Sequence, residues 1–122
     1  MIQVTLQEKN KEMKDKDYKY IAVFFPYPSG SGLHCGHWYN YAIIDSYCRY
    51  LRYKGEQVFQ PFGYDSFGLP AENYAKKVGR DPREVTYENI ENFRGQMNNM
   101  NTQYEEMLIT SDPNYIKYTQ WL

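Results

Sequence analysis

The sequence predicts an α/β fold built on one βαβ unit, with further helices after it. Three observations carry this. A short apolar run, Tyr20–Phe25, ends in a proline- and glycine-rich loop. A helical period then begins near Cys35, and a second β-like run, Gln57–Phe62, follows it. Strand, loop, helix and strand within some forty residues make the two strands parallel and the crossover right-handed.

The 122 residues hold one small domain at most. Ile, Leu, Val and Phe together number 24, about a fifth of the chain, close to the composition at which a packed core fails. The net charge of −1 does not add self-repulsion, and 14 tyrosines with two tryptophans supply apolar area that tolerates partial exposure. The chain therefore reads as part of a larger core. Basic residues number 14 against 15 acidic ones, which argues against a broad electrostatic platform for nucleic acid within these residues. No apolar run approaches the ~20 residues of a membrane span. Met1–Leu6 runs straight into charge, unlike a signal peptide. Cys35 and Cys48 could pair only across a predicted helix, so reduced thiols and a cytoplasmic setting are expected.

Each element has its own signal. Residues 1–17 are expected to be a charged leader, since Glu8–Lys19 mixes both signs with a single Met. Residues 18–122 form the domain. Tyr20–Phe25 is continuous enough to predict a strand buried on both faces, stopped by Pro26 and Pro28. Ser29–Gly32 lets the backbone approach a ligand. From Cys35 to Tyr53, Tyr41, Ile44, Tyr47 or Cys48, and Leu51 share one face, and Asp45, Arg49 and Arg52 are expected on the other. Gly55 ends that helix. After Gln57–Phe62 a loop leads to a short helix around Ala71–Val78. Asp81-Pro82-Arg83-Glu84 places a cap, a first-position proline and a glutamate in a helix-start pattern. Tyr87, Ile90, Phe93, Met97, Met100, Tyr104 and Met107 repeat every three or four residues and predict one long helix, a packing stripe rather than a cofactor box. Asp112-Pro113 starts a last helix.

Both histidines of the chain fall in His34-Cys35-Gly36-His37, after the glycine loop and at the helix start. Helix amino termini attract anions, and two imidazoles three residues apart can donate into one space, a pattern suited to a polyphosphate. Rival readings are weaker. Gly30, Gly32 and Gly36 miss the dinucleotide fingerprint by one residue, and no Gly-Lys-Ser/Thr supplies a P-loop. A zinc site at His34, Cys35 and His37 lacks a fourth ligand nearby, and Cys35 as a nucleophile lacks an acidic orienter.

Phe25-Pro26-Tyr27-Pro28-Ser29-Gly30-Ser31-Gly32-Leu33-His34-Cys35-Gly36-His37 resembles the first catalytic motif of class I aminoacyl-tRNA synthetases, in its leucyl form. Gly63-Tyr64-Asp65-Ser66-Phe67-Gly68-Leu69-Pro70-Ala71-Glu72 resembles that family's second landmark. Thr110-Ser111-Asp112-Pro113 and Tyr118-Thr119-Gln120-Trp121 match a third block in order, so the likeness runs from about Tyr18 to Leu122. It implies the first half of a Rossmann-like nucleotide-binding fold and a leucine–tRNA ligase reaction. ATP, entering as its Mg2+ complex, would meet Gly30, Gly32, His34, Gly36 and His37, with His34 and His37 catalytic and Gly36 leaving room for adenine or ribose. Leucine would meet Phe24, Phe25, Tyr27 and Asp65, with Phe25 offering its carbonyl and Asp65 pairing with the ammonium. No protein-bound metal is implied. The partner tRNA-Leu belongs to the complete family enzyme. Two departures stand out: Phe24 replaces a common Met, and Asn101–Leu108 replaces a Trp-containing segment. The family's Lys-Met-Ser-Lys-Ser loop is not in these 122 residues, so an amino-terminal fragment or truncated relative is expected. A non-catalytic ATP- or leucine-binding module, or an interaction piece, is the alternative.

Overall fold

The computed structural model describes residues 18–30 and 32–122, with the backbone alone at 106 and 107. The elements run β1 (Lys19–Tyr20), α1 (Cys35–Tyr53), β2 (Val58–Phe59), β3 (Pro61–Tyr64), α2 (Leu69–Val78), α3 (Pro82–Asn99), β4 (Glu106–Ile109) and α4 (Pro113–Trp121). β1 pairs with β2 and β3 with β4, both in parallel. Of the expected charged leader, residues 1–17 lie outside the described residues. Lys19 opens β1 and its ammonium lies 3.0 Å from Glu56.

The two strand pairs share one central run, and its alternation explains how. Gln57 and Phe59 carbonyls accept from Lys19 and Ile21, and the Asp65 amide donates to the Pro26 carbonyl. Odd-numbered residues thus turn their backbone toward the amino-terminal segment. Gln60 and Tyr64 carbonyls accept from Glu105 and Thr110, so even-numbered residues face β4. Pro61 falls on the odd side and has no N–H to give, which ends the pairing with β1 after Phe59. The expected strand Gln57–Phe62 is therefore split at Gln60, and its second part reaches Tyr64.

The expected strand Tyr20–Phe25 is corrected in two ways. Only Lys19–Tyr20 is regular strand, because the proline withdraws the ladder beyond Ile21. One face is covered, not two: Ile21, Val23 and Phe25 are half-buried, whereas Ala22 and Phe24 are exposed. That period of two belongs to an extended chain at a sheet margin.

α1 spans the expected residues and ends at Lys54, with Gly55 at φ 85° in the left-handed region. Its buried face is Tyr41, Asp45, Cys48 and Leu51. Asp45 is thus a correction, since it was expected outside. Its carboxylate accepts from Arg49 Nε at 2.7 Å and from the Gln103 amide at 2.8 Å, partners that make burial of the charge tolerable. Tyr47 is exposed, leaving Cys48 as the inward residue; both cysteines are free thiols.

α3 begins at the expected cap: Asp81 Oδ1 accepts from the Arg83 and Glu84 amides. The long helix expected through Met107 stops at Asn99. Asn101 turns left-handed at φ 53°, and Thr102 donates its amide and hydroxyl to the Met97 carbonyl. Tyr104 then returns to the core in a loop, its ring 4.6 Å from that of Phe62, and the chain enters β4. The main core joins Tyr41, Phe62, Tyr64, Ile90, Phe93, Met97 and Ile109. A smaller cluster joins Cys48, Leu51 and Val58 under Ile21 and Ile44. Among the described residues no helix is long and apolar enough to cross a membrane.

Gly63 sits where β3 faces Leu108, and a Cβ there would strike the Leu108 carbonyl and lie 2.8 Å from the Phe25 ring. Gly63→Ala should therefore part β3 from β4 and destabilise the fold by at least the ~1–3 kcal/mol typical of overpacking. Urea denaturation of the two chains checks this; an unchanged midpoint would mean that the β3–β4 pairing is not as described.

Candidate active site

The histidine pair is built from the helix start upward. His34 caps α1 in extended conformation, its Nδ1 accepting from the Gly36 amide at 3.1 Å. His37, in the third helical position, returns the favour: its Nδ1 accepts from the His34 amide at 3.2 Å. This is a reciprocal cap in which imidazoles do what serine and glutamate usually do. An Nδ1 that accepts keeps the ring proton on Nε2, so each ring turns a donor away from the helix backbone. The rings stack at 3.8 Å between centroids. Behind them His37 meets Tyr41 at 5.9 Å and Phe93 at 6.3 Å. A Cβ on Gly36 would lie 2.9 Å from His34 Cε1, so glycine lets the cap close. The volume expected to accept adenine or ribose is filled here by the His34 ring.

The strand ends supply the other half. Asp65 follows β3, with its amide on the Pro26 carbonyl at 3.0 Å, which sets it beside Phe25 and Tyr27. Its Oδ1 accepts from Thr110 Oγ1 at 3.5 Å. Thr110 in turn accepts from the Ser66 amide at 2.9 Å, and Ser66 Oγ bonds Ser111. Phe24 and Phe25 point opposite ways, as neighbours in an extended chain must. Phe25 lies 6.3 Å from Phe62, while Phe24 is 96% exposed and Tyr27 is exposed. The Phe24 carbonyl accepts from Tyr41 Oη at 3.1 Å, tying the strand end to α1. Burial, then the neighbouring Tyr64, holds the Tyr41 phenol far above its ordinary range, so it remains a donor. The structure thus gathers Phe25, Tyr27 and Asp65 at one strand end and His34, Gly36 and His37 at the helix start. Gly30 has open space about it.

Several residues that shape this end carry no motif in the sequence: Tyr41, Asn89 and Gln96 all bond the loop or the segment before it. Thr110, which bonds Asp65, opens the third block noted in the sequence. The one available signal is the spacing of Asn89 and Gln96, two polar residues seven apart inside an apolar stripe. A cleft of about 410 Å³ also opens past Ser66, between Phe67, Glu72, Arg83, Thr86 and Ile116; neither histidine lines it. Among the described residues no three His, Cys, Asp or Glu side chains come together as a metal site would require.

A family model for class I (M) tRNA synthetases matches residues 19–122. The chain belongs to the class I tRNA synthetases. It is 53% identical over 105 residues to the leucine–tRNA ligase of Mycoplasma mycoides, covering 84% of this chain and 13% of that protein. It is 48% identical over 120 residues to the leucine–tRNA ligase of Clostridium botulinum, covering 97% and 15%. The chain therefore spans about a seventh of the length of these relatives. Among solved structures, the ternary complex of Agrobacterium radiobacter K84 agnB2 LeuRS with tRNA and LeuAMS superposes with a TM-score of 0.80 at 35% identity, over 94% of this chain and 16% of that one. Mycobacterium tuberculosis methionyl-tRNA synthetase, in complex with methionyl-adenylate, gives 0.77 at 23% identity over 81% and 19%, which speaks for the fold alone. The split parallel sheet is thus part of a Rossmann-like synthetase catalytic domain.

Burial, then the charge of His34, lowers the His37 pKa from the ordinary 6.5. The unfolded chain then binds a proton near pH 6.5 that the folded chain refuses until lower pH. Stability should be constant above that point and fall as pH drops through the window beneath it. Protonation at Nδ1 would also remove the acceptor for the His34 amide. An NMR titration should give His37 a midpoint below 6.5, and urea midpoints should fall between pH 7.5 and 5.5. A His37 midpoint above 6.5 would contradict the described environment.

Proposed function

We propose that this chain forms the ATP- and leucine-facing part of a leucine–tRNA ligase active site. The observation that carries the reading is the tethered histidine pair. Both Nδ1 atoms are held by backbone amides, so two Nε2–H donors leave one helix start in a fixed relation, and Phe93 links His37 to Tyr64 at the carboxyl end of β3. That edge is where open α/β sheets take their ligands. The high identity to leucine–tRNA ligases supports leucine as the amino acid.

In the proposed reaction a leucine carboxylate oxygen attacks the α-phosphorus of ATP. The new O–P bond forms as the bond to the bridging oxygen breaks, and pyrophosphate leaves with that electron pair. His34 and His37 donate to phosphate oxygens on which charge grows, while Gly30, Gly32 and Gly36 let the backbone come close. The absence of a side chain on Gly36 lets the His34 ring stay closed on the helix start, so its outward donor keeps its direction while phosphate is bound. Asp65, oriented by Thr110 and by Pro26, pairs with the leucine ammonium. Phe24 and Tyr27, both exposed, face the amino acid with their rings, and Phe25, whose ring turns the other way toward Phe62, offers its backbone carbonyl. Mg2+ arrives with ATP, and transfer to tRNA-Leu is a property of the complete ligase. A cytoplasmic enzyme suits a chain of this family.

The test is a chimera in which this chain replaces the aligned segment of the Mycoplasma mycoides ligase. Leucine-dependent pyrophosphate exchange is expected. His34→Ala and His37→Ala should each lower kcat by roughly 100- to 1,000-fold, with a smaller change in KM for ATP. Losses that fall wholly on KM would mean uniform binding and remove the catalytic assignment. A chimera without exchange, whose inserted segment still binds ATP, would favour the non-catalytic binding module.

A further inference from the structure

The loop between Pro26 and Leu33 has no strand to hold it, yet the proposed phosphate donors lie directly beyond it. One face of α3 reaches it at both ends. Asn89 is buried and donates Nδ2 to the Pro28 carbonyl at 2.9 Å. Gln96, two turns further on, accepts the Leu33 amide on Oε1 at 2.7 Å. Between them Phe93 lies against His37. Residues at i, i+4 and i+7 share a helix face, so these contacts form one continuous rib. The amide nitrogen of Gln96 also lies 2.7 Å from where a Cβ of Gly32 would stand, and Oε1 lies 3.2 Å from it. A side chain end can usually move aside, but this one is anchored through its own oxygen to the next residue, Leu33.

From this we infer that Gln96 is the positioning residue that sets the glycine loop against the histidine pair, with Gly32 glycine because the Gln96 amide takes its side-chain volume. This rests on the reading of His34 and His37 as phosphate donors. Leu33 precedes the His34 cap, so the Gln96 bond fixes the approach to the capped helix. Without it the remaining hydrogen-bonded tethers among the described residues of the loop are at Pro26 and Pro28. Leu33 keeps its side-chain packing but loses the bond that fixes its backbone before His34. Neither Gln96 nor Asn89 needs to touch ATP for this role.

The 122-residue chain, labelled with 15N, gives the test. Amide exchange at Leu33 is read against that at Cys48, in the middle of α1, so that global opening divides out. Gln96→Ala and Gln96→Leu should speed Leu33 exchange by roughly fivefold or more, the equivalent of one hydrogen bond worth about 1 kcal/mol. Gln96→Glu keeps an acceptor and should restore slow exchange. Gly32→Ala should resemble Gln96→Ala, and the double variant should be no faster than either, since both changes break one contact. Unaltered Leu33 exchange in Gln96→Ala, or additive effects in the double variant, overturns the inference.

A second arm titrates Mg2+-ATP while following the two imidazoles. The alanine and leucine variants should bind several-fold more weakly than the wild type, with Gln96→Glu closer to it than either. Equal affinity and equal ring shifts in Gln96→Ala would overturn the positioning role. If ATP leaves the wild-type rings unmoved, the proposed phosphate contacts fail, while the exchange arm still decides whether Gln96 holds the loop.

Discussion

Backbone groups that no ladder satisfies must be bonded some other way, and residues 24 to 33 are where this chain meets that demand. The Phe24 carbonyl takes Tyr41, the Pro26 carbonyl takes the Asp65 amide, the Pro28 carbonyl takes Asn89, and the Leu33 amide takes Gln96. The four partners come from α1, the end of β3, and two turns of α3. The loop is thus suspended from three elements, and its shape depends on how those elements pack around Phe62, Phe93 and Tyr41. A segment built this way is a product of the core rather than of its own sequence.

The histidine pair shows the same economy. Each ring closes an orphan donor at the start of α1, and each thereby fixes which nitrogen faces outward. The cap uses one ring nitrogen and leaves the other facing outward. The coupling has a cost in acid, because a proton on His37 Nδ1 removes a cap and adds a positive charge at the same time.

Much of this was legible from the sequence where the signal was local. The bounds of α1, the Asp81 cap, the Gly55 stop and the histidine tetrapeptide all rest on residues within one or two turns of each other. Hidden features depended on distant partners. Asp45 reads as a surface charge until Gln103 arrives from across the fold. Pro61 reads as a strand end, and only the parity of its neighbours shows that it withdraws a donor from one side alone. Asn101 ends α3 inside a stripe that keeps its helical period through Tyr104, because Tyr104 reaches the same core by a loop. Asn89 and Gln96 leave only their seven-residue spacing inside an apolar stripe as a trace, since the loop they bond lies some sixty residues away.

The register of the sheet has a consequence for how the chain is made. Lys19 pairs with Val58 and Pro61 with Glu106, so no strand here meets a partner close in sequence. Helices α1 and α3 can form from local contacts, whereas the sheet must wait for loop closures of some forty residues. At typical synthesis rates the amino-terminal strand emerges roughly 2–8 s before β2. During that interval Ile21, Val23 and Phe25 have no sheet to lie on, and the growing chain carries an extended apolar segment that other chains can capture.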